Sequence, residues 1–509
     1  MLPIGRNFPQ RRRPWSDWMK RCGMLECRDT IEKLVRETAV SSSKKSMRRT
    51  LVLLSAIGLS SSVFAQSAVT PPSAPEASAS AAAAPAYTPT VANLEARRWF
   101  QDAKFGVFLH WGLYSELGGG GSPGLAEWIM QENKIPADKY ARLAKFFNPA
   151  NFDADAWVGS FKAAGARYIV VTSKHHDGFA MFDSTVSPYN VVKATPFARD
   201  PIAELAAACR RQGVKLFFYY SQLDWHNPDY FPRGQTGHAT GRPESGDWQK
   251  YLDYQDAQLR ELLTRYGPIG GIWFDGWWDQ EKTPLRDRWR LDRTYRLIHA
   301  LQPAALIVNN HHHAPFPGED YQTFERDLPG QNTMGYSDPS VVGTLPLEMS
   351  ETMNGSWGFN LVDDKYKSPE TLVRTLVGAA GRNANFLLNT GPMPNGEIQP
   401  ENLATFRTIG EWMTAHGKAI YGTRGGPIAP GDWGVTTQRG KTVYVHLMRA
   451  HDGRVTLPID APMRGRVASA RLFDGGEPVK VTAGKRRIEL SGLPPLGKAW
   501  DQIVALELR

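Results

Sequence analysis

Cysteine is almost absent from this chain. Three occur in 509 residues, Cys22, Cys27 and Cys209. That supply excludes the small extracellular scaffolds held together by disulfides. Long apolar runs are also missing: the stretch from Leu51 to Leu59 is far too short to cross a bilayer as a helix. Basic excess is confined to one place. The formal net charge is +9, and residues 1–65 alone hold 13 Lys and Arg against 5 Asp and Glu, which leaves about +1 for everything beyond them. The body of the chain therefore carries no electrostatic footprint for a nucleic-acid partner. No glycine-rich dinucleotide fingerprint follows the first strand-like run. What is present is an ordinary globular mixture, 41% hydrophobic and 22% charged, with 16 Trp.

The basic segment reads as a leader. From Met47 the chain runs Met-Arg-Arg-Thr, then the apolar stretch Leu51–Leu59, then Ser60 to Ala65 with Val63 and Ala65 at the −3 and −1 positions. A charged start, a short apolar centre and a small-residue cleavage site predict a signal peptide and a periplasmic or extracellular destination. Residues 1–46 stand upstream of that signal, as a basic extension or as the product of a misplaced start codon. Residues 66–92 are rich in Ala, Pro, Ser and Thr and read as a linker. Cleavage after Ala65 leaves only Cys209, on the apolar stripe Ile202, Leu205, Ala206, Cys209, where a buried structural thiol is expected. No membrane span is expected in the mature protein.

Strand-like runs alternate with helix-like ones from 93 to 420. The strands fall at 105–110, 168–172, 215–220, 271–274, 305–308 and 385–388, with helices expected at 153–164, 201–212, 252–266, 285–301 and 369–380. Alternation over such a length predicts an α/β fold with a parallel sheet, a (β/α)8-like barrel with insertions. From 421 to 509 short alternating runs separated by Gly and Pro predict a small C-terminal β-sandwich.

Ionisable and polar residues collect just past the strand ends, where a barrel keeps its active site. His110, the Lys174-His175-His176-Asp177 string, Tyr219-Tyr220-Ser221, Asp275 and Asn309-Asn310-His311 all occupy such places. Metal binding is one reading, with imidazoles from His110, His175, His176 and His311 to His313. Against it, neighbouring residues on a strand point to opposite faces, and no second acidic ligand has the spacing of a metal site. Sugar binding is the stronger reading. Trp111, Trp128, Trp225, Trp273, Trp277, Trp278 and Trp357 lie among the polar residues, and aromatic faces pack on the C–H faces of sugar rings. Glycoside hydrolysis needs two carboxyl groups. Asp275 ends an otherwise apolar strand, where a carboxylate has a cost unless it has a use. The second is open among Glu319, Asp320, Glu325, Asp327, Glu348 and Glu351.

Read together, Lys104-Phe105-Gly106, His110-Trp111-Gly112, Glu127-Trp128, Lys174 to Phe179, Trp273-Phe274-Asp275-Gly276, Ser356-Trp357-Gly358 and Asn385 to Pro392 resemble the α-L-fucosidases of glycoside hydrolase family 29. The resemblance implies an exo-acting retaining hydrolase of fucosylated glycans that needs neither metal nor cofactor. It implies Asp275 as nucleophile and Glu325 as acid/base, with Glu348 as the alternative. It further implies that His110, Glu127, Trp128, His175, His176, Tyr220, Trp273, His311 and Trp357 bind the sugar, Trp357 against its methyl group. The chain departs from the family pattern at His311, where Arg is common, at Ile129, where Tyr is common, and in the Gly118–Gly121 run, which reads as a mobile loop at the site's rim. A glycan-binding protein without activity on the same fold is the competing reading.

Overall fold

A computed structural model describes residues 87–121, 124–337, 339–459 and 466–509. The leader, Cys22, Cys27 and the linker up to residue 86 lie outside the described residues. Eight strands form one sheet: β1 Phe105–Leu109, β2 Tyr168–Lys174, β3 Lys215–Ser221, β4 Gly271–Asp275, β5 Leu306–Asn309, β6 Gln322–Glu325, β7 Leu347–Thr352 and β8 Ala384–Thr390. Their order is β5-β4-β3-β2-β1-β8-β7-β6, and every pairing is parallel. The sheet curls into a barrel with one seam, between β5 and β6.

Local chemistry explains where the outer helices begin. Asp153 accepts from Ala156 N, Asp200 from Ala203 N and Ser368 from Thr371 N, each capping a helix at 154–163, 201–212 or 369–381. Pro201 and Pro369 sit inside the first turn, and Gly213 ends its helix in the left-handed conformation. The helix Val91–Ala103, not anticipated from the sequence, closes the N-terminal end of the barrel. Its Phe100 ring lies 5.3 Å from Tyr168, the first residue of β2, 6.0 Å from Phe217, near the start of β3, and 4.3 Å from Tyr321, just before β6. The opposite end is thereby left for the site. Cys209 is buried and unpaired, its thiol pushed up to about 12 by burial.

At the seam a side chain takes over from the missing ladder. The Asp320 amide donates to Ile307 O at 2.8 Å, while its carboxylate accepts from Ile307 N at 2.7 Å. The same carboxylate accepts from Arg97 at 2.7 and 3.1 Å and faces His299 Nε2 at 2.9 Å.

Among the described residues eight further strands follow, β9 Arg424–Gly425, β10 Gly434–Arg439, β11 Thr442–Leu447, β12 Arg454–Pro458, β13 Val467–Leu472, β14 Lys480–Ala483, β15 Arg487–Ser491 and β16 Gln502–Leu508. They form antiparallel sheets of order β13-β16-β11-β10-β9 and β12-β15-β14. Val443, Val445 and Val504 from one sheet share a core with Leu457, Ile488 and Leu490 from the other, the sandwich expected from the alternating pattern.

Candidate active site

A cavity of about 430 Å³ opens at the C-terminal end of the barrel. Phe108, Tyr219 and Trp273 form its inner wall from β1, β3 and β4, and Trp357 joins them from the loop after β7. Pleating decides which residues reach it, because alternate residues of a strand face the barrel interior. Register pairs Tyr219 with Trp273 and Ser221 with Asp275, so the inward set on β3 is the odd-numbered one.

Asp275 stands at the end of β4 and accepts three hydrogen bonds. Gly276 N (2.7 Å) and Trp278 Nε1 (3.0 Å) donate to Oδ1, and the Tyr219 hydroxyl (2.9 Å) donates to Oδ2. Gly276 has φ 87°, and a Cβ there would meet Leu223 at 2.6 Å, so glycine permits the turn that aims its amide at the carboxylate. Burial raises the Asp275 pKa above the ordinary value, and the three donors oppose that shift. Glu325 ends β6, and its Oε2 accepts from Asn310 Nδ2 at 2.9 Å. Burial, and then the negative charge of Asp275, hold its carboxyl at about 7. Two carboxyls with separate partners thus share one cavity, one of them poised to hold a proton near neutrality.

The histidines are fixed as acceptors. Asn389 donates through Nδ2 to Trp357 O at 2.6 Å, which turns its Oδ1 toward His110 Nδ1 at 2.7 Å. Nδ1 of His110 therefore carries the hydrogen, and Nε2 keeps a lone pair. Ser221 donates to Leu223 O at 2.5 Å, so its oxygen accepts from His176 Nδ1 at 2.7 Å. The remaining nitrogen, His176 Nε2, lies 3.6 Å from Asp275 Oδ2. Burial pushes both imidazoles down to about 3, so they are neutral across the physiological range. His175 stacks on Tyr219 with ring centroids 5.3 Å apart, and burial lowers its pKa as well. Glu127 Oε2 accepts from Gly358 N at 2.8 Å, while its Oε1 is buried and has no protein partner. Its carboxyl is held at about 7, again chiefly by burial. Unpaired acceptors around a cavity are what a ring of sugar hydroxyls would satisfy.

Most residues singled out from the sequence meet here. His110, Glu127, Trp128, His175, His176, Trp273, Asp275, Glu325 and Trp357 all line the cavity. His175 and His176 both reach it although they are adjacent, because the β2 register shifts between Thr172 and Lys174 and the strand ends at Lys174. Three residues are placed otherwise. Tyr220 points away from the cavity and donates to Gln258 Oε1 at 2.8 Å; its neighbour Tyr219 occupies the inward position. His311 turns behind the wall, where its Nε2 faces Glu319 at 3.0 Å, and His312 lines the cavity instead. Glu348 lies beneath the floor, with Oε1 accepting from Trp273 Nε1 at 2.9 Å and Oε2 from the Tyr168 hydroxyl at 2.6 Å. Both of its oxygens are engaged, so it orients the Trp273 indole and does not face the cavity. Trp278, Asn310, His312 and Tyr336 also line the cavity, as do Leu125, Glu132 and Ser350. Among the described residues no cluster of three or more His, Cys, Asp or Glu is disposed to hold a metal ion, and no helix is long and apolar enough to cross a membrane. The Gly118–Gly121 run packs against the segment after Trp357: Leu361 N donates to Gly118 O at 2.9 Å, and a Cβ on Gly119 would meet Asn360 at 2.5 Å.

A family profile described as Alpha-L-fucosidase matches residues 75–418. Tissue alpha-L-fucosidase of Rattus norvegicus is 31% identical over 391 residues, 70% of this chain and 76% of the relative. Among solved structures, alpha-L-fucosidase isoenzyme 1 from Paenibacillus thiaminolyticus superposes with a TM-score of 0.71 at 33% identity, covering 82% of this chain and all of that one. An alpha-L-fucosidase from Bacteroides thetaiotaomicron, solved as a trapped covalent intermediate with 2-fluoro-fucosyl fluoride, superposes with a TM-score of 0.71 at 29% identity, covering 82% of this chain and 96% of that one.

Proposed function

The chain belongs to the α-L-fucosidase family of glycoside hydrolases, and from that premise we propose that it releases L-fucose from the non-reducing ends of glycans by double displacement with retention of configuration. The observation that carries this reading is the pair of carboxyls in one cavity, Asp275 held by three donors and Glu325 held at about 7. Asp275 attacks the anomeric carbon while Glu325 passes its proton to the departing glycosidic oxygen. Once Asp275 is esterified its charge is gone, and with it the Coulombic contribution that raises Glu325. The Glu325 pKa then falls, so the same group becomes the base that takes a proton from water as the ester is cleaved. His110 Nε2, His176 Nε2 and Glu127 Oε1 accept from fucose hydroxyls, and Trp357, its ring 5.2 Å from His110 and 5.9 Å from Phe108, supplies an apolar wall for the methyl group. We extend the reading to export by a signal peptide cleaved after Ala65, supported by the Met47–Ala65 pattern; a mature chain that begins upstream of Met47 would contradict that signal.

Kinetics of two variants test the chemistry. Asp275→Ala should lose several orders of magnitude on an aryl fucoside while remaining folded. Glu325→Ala should nearly abolish cleavage of a disaccharide, retain more of the first step on an activated aryl fucoside, and be rescued by azide to give α-fucosyl azide. A first-formed product of inverted configuration, or near-normal turnover by Asp275→Ala, sinks the reading.

A further inference from the structure

One ring in the cavity lining is not accounted for by fucose. Tyr336 is 46% exposed, whereas Phe108, Tyr219, Trp273 and Trp357 in the same lining are buried. It stacks on His312 with ring centroids 5.3 Å apart and planes 27° from parallel. His312 Nε2 in turn lies 3.9 Å from Glu325 Oε2. The ring therefore stands beside the carboxyl that protonates the leaving oxygen, at the solvent-facing part of the lining. Its loop is pinned: the Asp327 carboxylate accepts from Thr333 N at 2.9 Å, from the Thr333 hydroxyl, and from Met334 N at 3.0 Å. Met334, two residues before Tyr336, is 42% exposed and adds apolar surface to the same turn.

We propose that Tyr336, backed by His312, is a stacking platform for the pyranose ring to which fucose is attached. The inference rests on the fucosidase reading and extends it to the leaving group. A leaving sugar must stay bonded through the oxygen that Glu325 protonates, so its ring sits on the Glu325 side of the bond and toward solvent. A half-exposed aromatic held in place there offers a flat face to the C–H face of a pyranose at little entropic cost. The contact uses the ring and not the phenolic hydroxyl, so Phe should serve as well as Tyr.

The test compares substrates with and without a leaving sugar. α-L-Fucosyl fluoride has a single atom, fluoride, as its leaving group and so nothing to place on Tyr336; fucosyl-N-acetylglucosamine disaccharides, assayed in 1,3, 1,4 and 1,6 linkage, have a sugar to place there. The readout is the ratio of kcat/KM for the best disaccharide to that for the fluoride. Tyr336→Ala should lower this ratio about tenfold, and Tyr336→Phe should restore it to within about twofold of the parent. A ratio unchanged in Tyr336→Ala overturns the proposal, because the ring then belongs to the frame of the cavity. Equal losses in the Ala and Phe variants overturn it too, since the hydroxyl and not the ring would be responsible. A parent protein that turns over neither substrate overturns the fucosidase reading itself, and this proposal with it.

Discussion

Two adjacent tyrosines on β3 divide their hydroxyls between chemistry and stability. The Tyr219 hydroxyl donates to Asp275 Oδ2 at 2.9 Å, and the Tyr220 hydroxyl donates to buried Gln258 at 2.8 Å. Tyr219→Phe removes one of three donors from the Asp275 carboxylate. It should lower kcat by about one to two orders of magnitude, with little change in Tm, since hydrogen bonds to a charged group are worth more than neutral ones. Tyr220→Phe should do the reverse, leaving kcat near the parent value while the orphaned Gln258 acceptor costs about 1–3 kcal/mol of stability. Parallel kinetics and thermal unfolding check the pair, and the opposite pattern would put Tyr220 in the site. The same residues show why sequence reading stalls at this scale. Asp275 stood out because a carboxylate ended an apolar strand. Lys215–Ser221 is rich in aromatics on both faces, as strands of a parallel barrel are, so nothing in its pattern says which tyrosine points inward. His311 and His312 pose the same difficulty in a turn. His312 has φ 65°, a left-handed conformation that aims its side chain into the cavity and that no periodicity announces.

At the scale of elements, legibility followed apolar content. Five of the eight barrel strands appear as buried runs such as Ile169-Val170-Val171 or Phe386-Leu387-Leu388, and a sixth as Leu306-Ile307-Val308. The strand Gln322–Glu325 has no such run, and Leu347–Thr352 carries Glu348 and Ser350 on its inward face, which breaks up its apolar signal. These two polar strands complete the barrel beyond the seam and bring Glu325 to the cavity. Asp320 is what joins them to β5. Its removal as Asp320→Ala would leave the Ile307 amide without its acceptor and strip Arg97 of its carboxylate partner. A loss of about 3 kcal/mol in unfolding free energy is expected, because Asp320 is fully buried and Arg97 nearly so. Asp320→Asn keeps an acceptor for Ile307 N and should lose less. Denaturant titration of the two variants tests the assignment; equal and small losses would mean that packing alone holds the seam.

For the molecule as a whole, buried titratable groups set how stability varies with pH. Burial is the first cause in each case. Glu127, Glu325 and Glu348 are held at about 7 and Glu116 at about 8, against an ordinary 4.5; Asp177 is held at about 6, against 3.8. His110 and His176 are pushed down to about 3 and His312 to about 4, against 6.5, and His175 moves the same way. The raised acids bind protons in the folded state that the unfolded chain has released. Their contribution is complete below their unfolded values and is lost as pH rises through the folded ones. The lowered imidazoles act in the opposite sense: their contribution is complete above 6.5 and is lost as pH falls toward 3 to 4. Between about 4.5 and 6.5 the two sets largely cancel, since five imidazoles, with His226 lowered by burial as well, oppose four glutamates, Asp177 below 6, and the raised carboxyls of Asp256, Asp275 and Asp279. Below 4.5 the glutamates are protonated in both states, and below 3.8 Asp177 is too, so the imidazoles increasingly pull stability down. Between 6.5 and 7 the imidazoles are neutral in both states, and the glutamates alone pull it down. Above 7 the Lys104 ammonium, lowered to about 7 by burial, offsets Glu116. Thermal unfolding measured from pH 3.5 to 8 should therefore show a broad Tm maximum between about 4.5 and 6.5, a steep decline on the acid side and a shorter one up to about pH 7. Steady gain in Tm from pH 5 to 8 would contradict this balance, because the lowered imidazoles and lysines would then outweigh the raised acids throughout.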